Sequence, residues 1–238
     1  MTKKQQNYDT YYKYGLLFLF LGIWVWSLWH PTNQGNWFME NKALFFSVPI
    51  IYFLFIWYIK FSKLSLTMVT LFAIFHVIGA HYNYGSVPFG VTLGNVFNSN
   101  SNMYDKFVHF SFGLLIAYPL REMFLRIASM KGFWGYLCPF MAVVTLGTFY
   151  EIYEWVTVLQ YDPQTGYLFI GGSDPFDATK DLLAAIVGAF TTLGFVALLG
   201  FLKTKKYFKK HMRESFTRDE ETFPKEDKHL HKALENIS

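Results

Sequence analysis

Long apolar stretches recur along the 238-residue chain and decide what it can fold into. A helix needs about 20 predominantly apolar residues to cross the hydrocarbon core of a bilayer. The fourth of these stretches is short, and residues 104–106 and 121–125 extend it into the interfaces. The sequence therefore predicts an all-α, polytopic membrane helix bundle with six transmembrane helices. The predicted spans cover residues 12–29, 43–59, 64–80, 107–120, 133–159 and 182–202.

The amino-acid composition supports this class and excludes others. Only 16% of the residues are charged, whereas a soluble domain usually carries about a quarter. A disordered chain and a basic nucleic-acid binder are therefore excluded, and an ordinary soluble enzyme is disfavoured. The one cysteine, Cys138, rules out an intramolecular disulfide and a cysteine-rich metal site.

Positive charge predicts the orientation of the spans. With the N-terminus inside, 18 of the 21 Lys and Arg residues fall on the inner side, and only Lys42, Lys106 and Lys180 fall outside. Cytoplasmic loops carry such an excess of Lys and Arg. Both termini are therefore predicted to be cytoplasmic, in a multi-pass protein of the cell membrane.

The chain divides into a membrane part and a charged tail. The predicted transmembrane domain covers residues 1–202, with outer loops at 81–103 and 160–180, and a cytoplasmic tail covers 203–238. Four lysines open the tail, at positions 205, 206, 209 and 210. Such a cluster attracts anionic lipid headgroups, although topology enforcement alone also explains it.

Acidic residues and histidines gather near the predicted outer ends of helices three to six. Ionisable groups in a span are costly and usually face the bundle interior with a partner or a task. Residues three or four apart share one helix face, whereas His76 and His81 lie about 140° apart. Gly79 predicts that the third helix ends before His81. The candidate pairs are His76 and His81, Asp105 and His109, Glu151 and Glu154, and Asp177 and Asp181.

The two glutamates are the sharpest of these signals. They lie near the predicted C-terminal end of their helix, where the helix dipole disfavours negative charge. Compensation is expected from a metal ion, from protonated His109 or His76, or from Lys106. A structural network of ion pairs is the alternative.

Mixed imidazole and carboxylate groups suit a divalent metal such as Zn, Mn or Fe, and they also suit general acid–base chemistry. Helix capping is an alternative for Asp105, Asp174 and Asp177, with Pro175 opening the last helix. The predicted catalytic residues are Glu151, Glu154, Asp105 and Asp181. The predicted metal ligands are His76, His81, His109 and Asp177, with Glu151 and Glu154 as further candidates.

Four ordered motifs carry a family resemblance. They are FHVIGAHYNYGSVPFG (75–90), YDKFVHFSFGLLIAYPLRE (104–122), YEIYEW (150–155) and SDPFDATKDLLAAIVGA (173–189). Together they resemble the YjdF-like family of bacterial inner-membrane proteins. Ser173 and Phe176 stand where that family has glycine and tryptophan, while the acidic positions are kept. A more distant similarity links the last three helices to the VanZ-like proteins and implies cell-envelope or lipid-linked substrates.

Three classes of function remain open at the level of sequence. The first is a metal-assisted or carboxylate-assisted hydrolase or transferase that acts on an envelope lipid or glycan. The second is a structural or accessory subunit held by buried ion pairs, and the third is a small cation or proton transporter. Gly188, Gly194 and Gly200 permit close helix packing, either within the protein or with an oligomeric or helical partner.

Overall fold

A computed structural model describes residues 3–42, 61–99, 101–160 and 176–201. Within these ranges the chain forms seven helices and no strand, which confirms the all-α prediction for this part of the chain. The helices are α1 (Lys3–Ser27), α2 (residues 34–42), α3 (Lys63–His81), α4 (Pro88–Val96), α5 (Tyr104–Ile127), α6 (Trp134–Gln160) and α7 (Asp177–Phe201).

Three of these helices are long and apolar enough to cross a membrane: α3, residues Trp134–Thr157 of α6, and α7. They correspond to the third, fifth and sixth predicted spans. The first predicted span overlaps α1 up to Ser27, and the fourth lies within α5; these helices have 25 and 24 residues.

Some predictions concern parts of the chain outside the described residues. These are the second predicted span at 43–59, the cap formed by Asp174 and Pro175, and the tail at 203–238.

The third helix is longer than predicted and ends at His81. Gly79 does not end it, because the helical hydrogen bonding continues to the N–H of Tyr82, which donates to the Ile78 carbonyl. Gly79 instead makes room for an aromatic ring, since a Cβ there would lie 2.6 Å from the ring of Tyr84. The predicted loop at 81–103 also contains a helix, α4.

α5 is the central helix of the described bundle. None of its residues from 104 to 126 is exposed. Buried Ala117 of α5 packs in one cluster with Val143 of α6 and with Ala185 and Ala189 of α7. The apolar core therefore joins the three helices that carry the acidic motifs.

α5 and α7 approach each other closely and run parallel. A Cβ on Gly113 would lie 1.9 Å from the Ala185 carbonyl oxygen, and a Cβ on Gly188 would lie 2.1 Å from that of Phe110. Below this crossing, the hydroxyl of Thr192 donates to the Leu114 carbonyl. Gly188 therefore permits close helix packing within the protein, which is one of the two roles that the sequence predicts for it.

Substitution of Gly188 tests this close contact. A G188A variant should unfold more easily by about 1–3 kcal/mol, because the added methyl group meets backbone atoms that cannot rotate away. Chemical unfolding in detergent micelles measures the difference. Gly194 on the same helix is the matched control, since a Cβ there meets no described atom within 4 Å. Equal losses in G188A and G194A would contradict the assigned contact.

Candidate metal centre

Lys106, in the first turn of α5, binds three aspartates. Its Nζ lies 3.0 Å from Asp105 Oδ2 and 2.8 Å from Asp181 Oδ2, and it also donates to Asp177 Oδ1. Asp177 and Asp181 belong to the first two turns of α7. The ammonium group therefore ties together the beginnings of α5 and α7. This also fixes the role of Lys106, whose described ion pairs join it to aspartates and not to the glutamate pair.

His109 lies one helical turn deeper and faces three carboxylates. Its Nε2 is 3.6 Å from Glu151 Oε1, 3.7 Å from Asp105 Oδ1 and 4.0 Å from Asp181 Oδ1. These separations are too long for hydrogen bonds. We call Asp105, His109, Glu151 and Asp181 the His109 cluster. It brings together side chains from α5, α6 and α7.

Two oxygens of the His109 cluster have no hydrogen-bond partner among the described residues. They are Glu151 Oε1 and Asp181 Oδ1, and both are buried. Leaving such a group unpaired costs about 1–3 kcal/mol, and more when the group is charged. Both oxygens face His109 Nε2, at 3.6 and 4.0 Å.

The spacing of these atoms fits a metal ion. Ligand atoms of a tetrahedral zinc, each about 2.1 Å from the ion, lie roughly 3.4 Å apart. The separations of 3.6–4.0 Å around His109 Nε2 are slightly wider. Ligand atoms of Asp105, His109 and Asp181 all lie within 4.8 Å of one another. Glu151 is not part of this three-residue group, although its Oε1 is 3.6 Å from His109 Nε2.

The charge of the site also favours a cation. Lys106 pairs with Asp105, Asp177 and Asp181, and Glu151 adds a fourth carboxylate, so the formal charge is three negative when all four carboxylates are ionised and His109 is neutral. Asp181 is only 2% exposed. Charges removed from water in this way need partners. A divalent cation in the His109 cluster would remove most of the imbalance.

A second polar network adjoins the cluster. Tyr150 donates from its hydroxyl to Glu40 Oε2 at 2.7 Å, and its ring lies 6.0 Å from that of His109. His76 Nε2 is 3.3 Å from the Glu40 carbonyl oxygen, and His76 Nδ1 is 2.7 Å from the Tyr84 hydroxyl. We call Glu40, His76, Tyr84 and Tyr150 the Glu40 network.

The Glu40 network fixes the state of His76. A carbonyl oxygen can only accept a hydrogen bond, so Nε2 carries the proton and Tyr84 donates to Nδ1. With both ring nitrogens engaged, His76 lies beside the His109 cluster and not among its facing atoms. Its assignment as a metal ligand stays a prediction without support from this geometry.

The remaining predicted residues lie in different places. His81 Nδ1 is 3.0 Å from the Ser27 carbonyl oxygen, and its ring packs 4.4 Å from Trp26 at the end of α1. Asp177 reaches the site only through Lys106. Glu154 lies close enough to Glu40, Glu151 and Asp181 to interact with them electrostatically.

The helix dipole does not account for a need to compensate the charge of Glu151, contrary to the prediction from the sequence. α6 continues to Gln160, so Glu151 lies more than two turns before its end. The helix dipole acts within about the last turn, and it therefore contributes little at Glu151. Burial without a hydrogen-bond donor is the larger cost there.

Sequence reasoning did not assign Glu40 to the site. Glu40 is a lone carboxylate ahead of an apolar stretch, and no helical spacing connects it to the motif YEIYEW. The two tyrosines of that motif are the sequence feature that could have pointed to Glu40. Tyr150 donates to Glu40 Oε2, and Tyr153 donates to the Met39 carbonyl oxygen at 3.0 Å.

Comparison with known proteins identifies the family. Residues 12–200 match the model of a family described as predicted membrane protein, DUF2238. The chain belongs to this family. It is also 29% identical over 139 residues to the inner membrane protein YjdF of Escherichia coli (strain K12). That alignment covers 57% of this chain and 66% of the relative, just under two thirds of its length. No solved structure matches the chain.

These matches confirm the YjdF-like resemblance and the location in the bacterial inner membrane. The apolar helices of the structure agree with that location. The distant VanZ-like similarity stays a prediction.

Replacing Glu40 tests the electrostatics of the second network. Glu40 precedes the predicted span at 43–59, and burial raises the pKa of its carboxyl to about 7, against the hydrogen bond from Tyr150 and with help from the charge of Asp105. The folded state therefore binds this proton more tightly than the unfolded chain does. Stability should fall as the pH rises from about 4.5 to about 7 and then level off.

An E40Q variant keeps an acceptor for Tyr150 and loses this titration. Relative to the wild type, it should gain about 3 kcal/mol of unfolding free energy across that pH range. Chemical unfolding in detergent measures the gain. Measurements at about pH 4.5, 6 and 8 cover the limits and the middle of the titration. Parallel pH profiles for the two proteins would show that Glu40 does not titrate in this way.

Proposed function

We propose that this inner-membrane protein binds one divalent metal ion in the His109 cluster and uses it to hydrolyse, or to transfer a group from, an envelope lipid or glycan. The observation that carries the proposal is the pair of buried, unpartnered oxygens, Glu151 Oε1 and Asp181 Oδ1, that face His109 Nε2.

The proposal includes six transmembrane helices and both termini in the cytoplasm. The excess of Lys and Arg on the predicted inner side supports this orientation. It places the beginnings of α5 and α7, and with them the His109 cluster, at the extracytoplasmic end of the bundle. A substrate in the outer part of the envelope would then reach the site without crossing the membrane.

One imidazole and three carboxylates are ligands that suit Zn, Mn or Fe. When bound, such an ion polarises a phosphoryl or carbonyl oxygen, or lowers the pKa of a coordinated water. Asp105 is the most accessible ligand, with 29% of its side chain exposed, and it marks the open side of the site. Asp181 and Glu151 form the buried side.

Lys106 and Glu154 have supporting roles in this proposal. Lys106 holds the Oδ2 atoms of Asp105 and Asp181, and this leaves their Oδ1 atoms directed toward His109. Outer partners of this kind orient metal ligands and are important for affinity. Glu154 lies within electrostatic reach of Glu151 and Asp181. We assign Glu154 the proton transfer that hydrolysis requires.

A structural role is the second candidate, because Lys106 of α5 joins the two helices through two carboxylates of α7, Asp177 and Asp181, and also pairs with Asp105 on its own helix. In that case the His109 cluster would hold helices together without turnover. Buried ion pairs of this type break at a cost of about 3–5 kcal/mol when one partner is removed.

Metal analysis of purified protein tests the binding site. Wild-type protein in detergent should carry one metal ion per chain by elemental mass spectrometry. H109A and D181N should lose it, because each removes a ligand atom of the cluster. The matched control is H30N, since His30 is exposed and has a φ of 51°, a conformation that asparagine tolerates.

Folded wild-type protein without metal, even after dialysis against Zn²⁺ or Mn²⁺, would overturn the metal site. Retention of metal in both H109A and D181N would place the ion elsewhere.

Turnover separates the enzyme from the structural alternative. Metal-loaded protein incubated with total lipid and glycan extracts of a bacterial envelope should release a water-soluble fragment detectable by mass spectrometry. E154Q should bind metal normally and lose at least about tenfold in rate, because general acid–base groups contribute about 100-fold or more. A metal-bound protein that releases nothing, and that only loses thermal stability on chelation, would favour the structural role.

A further inference from the structure

α4 presents an uncovered apolar face. Phe89, Leu93 and Val96 are spaced i, i+4 and i+7 and therefore share one side of the helix. Phe89 is 49% exposed and Val96 is 70% exposed. Asn95 is exposed and lies about 100–160° around the helix from these three residues, and Thr92 lies between it and Val96. In water, an apolar side of this kind would be unfavourable.

A third side of α4 is docked on the chain through two glycines. Gly90 and Gly94 are buried, and a Cβ on Gly94 would lie 2.5 Å from the Ser101 carbonyl oxygen. The N–H of Met103 donates to the Gly90 carbonyl at 3.0 Å, and Asn102 donates to the Val87 carbonyl at 2.9 Å. The helix is therefore fixed to the segment that leads into α5, with its apolar side turned away from these contacts.

The depth of α4 relative to the membrane follows from the helices before and after it, α3 and α5. α3, which is long and apolar enough to cross a membrane, ends seven residues before α4 begins. The ring of Phe89 packs 5.2 Å from that of Phe107 in the first turn of α5. α4 thus lies where one membrane helix ends and the central helix begins.

The segment around α4 also lacks charge. Residues 82–104 contain no Asp, Glu, Lys, Arg or His. A loop in water usually carries some charged residues, whereas a segment within the bilayer boundary avoids the cost of burying them. An uncharged helix with one apolar side fits the boundary between headgroups and acyl chains.

We propose that α4 is an interfacial helix whose Phe89, Leu93 and Val96 side lies in the lipid of the adjacent leaflet. Its partner is the acyl-chain boundary of the bilayer, not another protein. Because α4 is bonded to the chain just before α5, it fixes the depth of the first turn of α5. The contact with lipid does not depend on metal binding or on catalysis.

Spin labelling tests the proposal, and the single cysteine makes the design simple. In a C138A background, labels are placed at F89C and V96C on the apolar side and at N95C as the matched control. The proteins are reconstituted in phosphatidylethanolamine–phosphatidylglycerol vesicles. Collision with oxygen, which concentrates in lipid, is then compared with collision with a water-soluble nickel chelate.

We expect the ratio of oxygen to nickel collision at positions 89 and 96 to exceed the ratio at 95 severalfold. Equal ratios at all three positions would show that no side of α4 is turned toward lipid in preference to the other, and would overturn the proposal. Labels at 89 and 96 that neither reagent reaches would show that protein covers this side, and would overturn it as well. If F89C or V96C does not fold, F97C replaces it, since Phe97 follows α4 directly and is 65% exposed.

Discussion

The parallel crossing of α5 and α7 is the constraint from which the rest of the site follows. Gly113 and Gly188 let the two backbones approach until a single methyl group would collide with a carbonyl oxygen. His109 lies one turn before Gly113, and Asp181 lies one turn before Ala185, so the same crossing places them side by side. In lipid, where apolar burial drives helix association only weakly, small residues and polar contacts set such packing. The polar cluster and the crossing therefore depend on each other.

Asp105 and Asp181 each direct one carboxylate oxygen to Lys106 and the other to His109. Lys106 therefore does not bind all of the carboxylate oxygens of the site. The ammonium takes the Oδ2 atoms of Asp105 and Asp181, and their Oδ1 atoms face His109. Glu151 has no described ion pair with the lysine, and its Oε1 has no hydrogen-bond donor among the described residues. One positive charge near the surface of the cluster therefore leaves negative charge unbalanced deeper in it. A cation beside His109 would meet the oxygens that Lys106 does not reach.

The sequence predicted the all-α fold and the apolar helices α3, α6 and α7, and helical spacing placed Asp105 and His109 on one face. Asp105 and His109 share a face in any α-helix, and the predicted depth of each span brought Glu151 and Asp181 to the same level. Contacts between helices depend on rotation about each helix axis, which spacing does not determine. For that reason the sequence did not predict that His81 contacts the Ser27 carbonyl of α1, or that Glu40 accepts a hydrogen bond from Tyr150 beside the site. Gly79 was misjudged because its role is contact with Tyr84, while its backbone remains helical.

Glu151 offers the strongest physical distinction between a metal centre and a purely structural network. In a network without metal, the positive charges near Glu151 are Lys106 and protonated His109, and the nearest proton is the one on His109 Nε2, 3.6 Å away. That proton would have to serve Asp105 and Asp181 as well, at 3.7 and 4.0 Å, and a single N–H points toward one acceptor only. A metal ion has no such directional limit, because it accepts electron pairs from four ligands at once. In the proposed function the three carboxylates around one imidazole nitrogen would share a cation, whereas in the structural alternative they would share a proton.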